Sequence, residues 1–129
     1  MPEIIFKMDQ KEIIKELKKF HGTEYYHKST FGKLKLTDGM NYLRNAAECY
    51  WLIDIVESVQ HLKIVQKYRE FVVWAIEVYE DKSFEVTGWT DTPHESDIVY
   101  QQKGKYTDFP LDDFEFYQIN DVLLLKGEY

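Results

Sequence analysis

"FVVWAIEVY", residues 71–79, decides how this chain is read. Val72, Trp74, Ile76 and Val78 alternate onto one face of an extended backbone; Phe71, Val73, Ala75, Glu77 and Tyr79 take the other. A period of two predicts a strand. Toward the C-terminus, "EDKS" is a turn, Phe84 to Thr90 a second strand, "DTPHESD" a polar loop and Ile98 to Tyr106 a third strand. "TDFPLDD" then interrupts, because Pro110 cannot donate to a ladder. Phe114 to Gln118 and Val122 to Lys126 flank Asn120-Asp121, a hairpin signal.

Toward the N-terminus the period changes. "LKIVQKYRE" reads as a linker, and before it a long helix is expected from about Met40 to about His61, opened by Thr37 or Asp38 as N-cap. Asn41, Arg44, Asn45 and Glu48 form its polar stripe; Met40, Leu43, Ala47 and Tyr50 form the apolar one. Gly22 to Gly39 reads as loop and short extended pieces, with Lys33 to Leu36 as a short edge strand. A first helix starts at Asp9 with Glu12 three residues on, a capping-box pattern. It sets Ile13, Ile14, Leu17 and Phe20 on one face, has lysines on the other and stops near Gly22. Helices followed by successive strands imply an α+β fold: two or three helices packed on an antiparallel meander sheet of four to five strands. At 129 residues the chain is expected to form one domain, 1–129.

Composition narrows the function. The formal net charge of −7 argues against direct binding of nucleic acid or of an anionic membrane, and suits a basic partner. No apolar stretch approaches the roughly 20 residues that span a bilayer. The N-terminal "MPEIIFKMDQ" has neither the basic start nor the apolar run of a signal peptide. Cys49 is the sole cysteine, so no internal disulfide can form and a cytoplasmic location is expected.

The polar anomaly lies in "AAECYWLIDIVESV", residues 46–59. Asp54 interrupts the apolar middle of the run, and counting about 100° per residue places it on the apolar side of the long helix. A carboxylate there is expected to be substantially buried and paired, either as a structural anchor or as part of a small pocket. Asp54, Ser58 and His61 share one stripe. A row down a regular helix does not converge on a point as a hydrolytic triad must. The four histidines show no zinc-ligand spacing, no glycine-rich phosphate loop is present, and no metal or other cofactor is expected. "WTDTPHESD" and "DFPLDDFEF" gather carboxylates beside aromatics, as a surface for a basic protein partner would.

"FHGTEYYHKS", "LTDGMNYLRNAAECYWLIDIVESVQ", "FVVWAIEV" and "YTDFPLDDFEFY" occur in this order across nearly the whole chain. Together they resemble a family of short bacterial and phage proteins of unknown function, with G-[ST]-E-x-[FY]-Y, TDG-x-x-YL, YWL-[LI]-D and TDFPL motifs. The chain departs from that pattern at "GWTDTPHESD", where the family has a short glycine-rich turn. The resemblance brings no activity. It implies an accessory gene of a phage or mobile element, and it marks residues that packing alone explains least well: Glu24, Tyr26, Trp51, Asp54 and Asp108, with Phe109 beside the last.

Three readings follow. The first is a non-enzymatic acidic protein that binds and modulates a host or defence protein, by nucleic-acid mimicry if that partner binds nucleic acid. The second is a small-molecule-binding or hydrolytic domain with a pocket around Glu24, Tyr26, Asp54 and Asp108. The third is a module that forms a homodimer through an exposed sheet edge.

Overall fold

A computed structural model describes residues 9–129; the reading of residues 1–8 as free of a signal peptide lies outside the described residues. Helix α1 spans Gln10–Leu17. Its N-cap Asp9 accepts the Glu12 N–H at 2.9 Å, as the capping pattern requires. It ends at Leu17 rather than near Gly22, burying Ile13 and leaving Ile14 40% exposed.

The expected long helix is two helices. α2 spans Asp38–Ala46 and α3 spans Tyr50–Ser58. The break falls at Glu48, whose φ is +50° although it is not glycine. Thr37, not Asp38, is the N-cap of α2. The stretch read as a linker contains a further helix, α4, Lys63–Tyr68.

Among the described residues the sheet has seven strands rather than four or five, and four helices accompany it rather than two or three. The strands are β1 His27–Lys28, β2 Lys35–Leu36, β3 Val72–Val78, β4 Phe84–Trp89, β5 Ile98–Gly104, β6 Asp113–Ile119 and β7 Val122–Leu124. The spatial order is β1-β2-β7-β6-β3-β4-β5. β3, β4 and β5 form the meander; β6 returns to the free side of β3, and β7 follows it as a hairpin through Asn120, φ +56°. The sheet is not wholly antiparallel, because β2 pairs β7 in parallel. Lys35 and Leu36, read as an edge strand, therefore lie between β1 and β7, and a two-residue β1 takes that edge.

One face of the sheet carries the main core. Trp74, Ile76, Val86, Phe116 and Leu123 pack there with Met40, Leu43, Leu52, Ile53 and Val56 from α2 and α3. Trp74 is fully buried, and its Nε1–H donates to Gln118 Oε1 at 2.9 Å. Gln118 Nε2 donates in turn to Gln60 Oε1 at 2.7 Å and to the Asn120 carbonyl at 2.7 Å. This network satisfies an amide buried in the core and ties β3, β6 and the residues after α3 to the hairpin turn. The opposite face carries a smaller cluster of Val73, Ala75 and Trp89, with Phe71 and Tyr117 against it.

Candidate functional site

Three carboxylates fasten the loops around α2 and α3. The most deeply buried is Glu57, 1% exposed, one turn beyond Asp54. It accepts the Ser29 hydroxyl, the Phe31 N–H at 3.0 Å and the Lys33 N–H at 2.9 Å. Burial opposes its charge, but these donors and the nearby Lys33 ammonium outweigh burial and hold the carboxyl below the usual range. The inward-facing carboxylate of this helix is therefore Glu57. Asp54 is only half-buried; it is paired, accepting the Thr30 hydroxyl at 2.6 Å on the same loop.

Asp38 fastens the segment before β1. Its carboxylate meets His27 Nε2 at 2.8 Å and accepts the Glu24 N–H at 2.9 Å. The His27 contact first, then the Glu24 N–H, keeps Asp38 below the ordinary carboxylate range. Thr23 Oγ1 accepts the Asp38 N–H at 2.8 Å and donates to the Tyr25 carbonyl at 2.6 Å. Glu128 performs the same service at the start of α2. It accepts the Thr37 hydroxyl at 2.6 Å, the Leu125 N–H at 3.0 Å and the Gly39 N–H at 3.1 Å. A Cβ on Gly39 would stand 2.4 Å from Leu125 Cδ1 and 2.7 Å from Glu128 Oε1, so glycine is what permits this approach.

The residues singled out in the sequence fall into separate groups. Trp51 packs its ring against Phe84 and Phe109, with centroids 5.1 and 6.3 Å apart. Phe109 is 3% exposed, as a core residue is. Asp108 is exposed beside it. Glu24 and Tyr26 are exposed on the loop that Asp38 holds. No hydrogen bond among the described residues joins the Glu24 or Tyr26 side chain to Asp54. Asp54, Ser58 and His61 do not share one helical stripe: α3 ends at Ser58, whose hydroxyl donates to the Ile55 carbonyl at 2.7 Å, and His61 lies beyond the helix. Among the described residues no three His, Cys, Asp or Glu side chains stand close enough to share a metal ion, and no helix is long and apolar enough to cross a membrane.

A groove lies elsewhere, between α1 and the outer edge of β6. It encloses about 1040 Å³. Ile14, Leu17 and Phe20 form one wall, and Leu111, Phe114 and Leu125 add apolar surface at the other. Four carboxylates, Glu77, Asp112, Asp113 and Glu115, line the sheet side. Glu77 meets His94 Nε2 at 3.0 Å, and Lys126 Nζ donates to Glu115. Asp112 and Asp113 are exposed and form no ion pair among the described residues. A second cavity of about 300 Å³, between the 91–94 loop and Tyr117, shares His94, Glu115 and Lys126 with the groove. Neither cavity is lined by Glu24, Tyr26, Asp54 or Asp108. The acidic segment "DFPLDDFEF" was the signal in the sequence for the sheet side. The contribution of α1 was not visible there, because it depends on how the helix docks.

A family model described as a family of unknown function (DUF6876) matches residues 11–129, and the chain belongs to that family. Neither a curated protein nor a solved structure matches it.

Proposed function

We propose that this member of an uncharacterised family is a small, acidic, non-enzymatic interaction protein whose partner is a basic or nucleic-acid-binding protein. The setting is cytoplasmic, and the role is that of a phage or mobile-element accessory factor that inhibits or modulates a host or defence component. The observation that carries the reading is the row Glu77, Asp112, Asp113 and Glu115 along an apolar groove, in a chain of formal charge −7. Carboxylates spaced along a groove can stand in for phosphates, and they speed encounter with a cationic surface. The hydrolytic or small-molecule reading has less behind it. Asp54 is engaged by Thr30, and Ser58 by its own helix.

The test is capture from bacterial lysate on immobilised protein, followed by mass spectrometry. A basic protein should be retained, released by about 0.5 M salt, where the screening length is about 4–5 Å, and lost with Asp112→Lys/Asp113→Lys. Recovery that matches bare resin, or that survives the double substitution, counts against the proposal.

A further inference from the structure

We infer that the uncovered part of β6 receives a neighbour from outside: an extended segment of a partner protein, alternating cationic and aliphatic residues, that adds as a strand in the groove beside α1. The inference rests on the basic-partner reading and names where and how that partner docks.

The backbone supplies the first argument. Val78 N–H donates to the Asp112 carbonyl at 2.8 Å, and Glu77 stands opposite Asp113 in the register. Antiparallel pairing alternates, so Phe114 and Phe116 turn their N–H and C=O groups toward β3. Asp113 and Glu115 therefore turn theirs the other way. β7 covers that side of β6 only from Tyr117 to Ile119. Asp113 and Glu115 are left with no backbone partner among the described residues, and the groove opens against them. An unpaired run of this kind is a template for another strand.

Side-chain alternation supplies the second. Glu77, Asp113 and Glu115 share one sheet face, and Phe114 lies on the other. A strand laid along β6 would set alternate residues beside Asp113 and beside Glu115, which Lys126 already meets, and lysine or arginine fits there; Glu77 lies one strand further in, on β3. Its intervening residues would meet the apolar side, with Leu111, Phe114, Leu17 and Ile14, the last 40% exposed although it lies on an amphipathic helix. About four residues, roughly 13 Å of strand, span the available edge from Asp113 to Phe116.

The test uses the isotope-labelled full chain and three blocked nine-residue peptides. One alternates Lys and Val, one has the same side chains with the backbone nitrogens of its three central residues methylated, and one has Glu in place of Lys. The Lys-Val peptide should bind saturably and slow amide exchange at Asp113 and Glu115 by about tenfold or more. The N-methylated peptide keeps the charge but loses its central ladder donors and should bind about tenfold more weakly; the glutamate peptide should not bind. Equal binding of the first two peptides overturns strand addition while the basic-partner reading stands. Failure of all three overturns the groove as the docking place, and the lysate capture then judges the partner reading by itself. Protection of Asp113 and Glu115 without peptide also overturns the inference: in a monomer it means the chain fills its own groove, in a dimer that a second copy does.

Discussion

The carboxylate of Glu57, 1% exposed, accepts the backbone N–H of Phe31, whose side chain is 78% exposed. A buried charge thus fixes the backbone of the loop that holds out one of the most exposed aromatic rings among the described residues. With the Lys33 N–H and the Ser29 hydroxyl on the same carboxylate, the whole turn between β1 and β2 hangs from α3.

Replacing that anchor should be costly. Glu57→Ala leaves the Phe31 and Lys33 donors without their acceptor in a half-buried site, and should lower unfolding free energy by about 3 kcal/mol or more. Urea denaturation measures it. A loss below about 1 kcal/mol would mean that water replaces the carboxylate freely.

The pH dependence has a defined sign. Glu57 and Asp38 both have folded-state pKa values below their ordinary 4.5 and 3.8. The folded state therefore binds these protons less readily than the unfolded chain. The stabilisation is complete above those ordinary values and is lost as pH falls through the depressed ones. The melting temperature should hold steady near pH 6 and drop on acidification below about 4.5, and Glu57→Gln should flatten that drop.

Asp54→Ala should be milder. Its one hydrogen bond among the described residues is to Thr30, and it is half-buried, so the expected loss is about 0.5–1.5 kcal/mol. A thermal melt that ranked Asp54→Ala above Glu57→Ala would contradict the assignment of Glu57 as the anchor.

Gly39→Ala should destabilise by about 1–3 kcal/mol, since the new methyl meets Leu125 and Glu128. The two effects should couple. In a Glu128→Ala background the added cost of Gly39→Ala should shrink, because part of the obstruction is gone. Strict additivity in a double-mutant cycle would show that the approach of Glu128 is not part of what requires glycine there.

The middle of the fold was legible because its signals are local. β3 and β4 alternate over six or seven residues, and an Asn-Asp pair marks the β6–β7 turn. β1 and β2 are two residues each, too short to show any period, and their pairing is decided by β7, far away in sequence. The α2–α3 break leaves no mark in the sequence, because it falls at a glutamate and both stripes can be drawn straight through it. Counting 100° per residue across a break carries the wrong phase into α3, so Asp54 was placed inward when the core-facing carboxylate is three residues on. The aromatic contact of Trp51 with Phe109 joined two motif segments that the resemblance could only set in order along the chain.

The Thr37–Glu128 hydrogen bond bridges a separation of 91 residues. During synthesis, α2 can be made and coiled long before the group that fastens its first turn exists. The strand that β2 needs is also late, arriving with Val122–Leu124. The contacts that complete α2 and β2 therefore come from residues 122–128, the last of the chain to be made. Pairings of such sequence separation raise the contact order, which slows folding relative to a fold of local contacts.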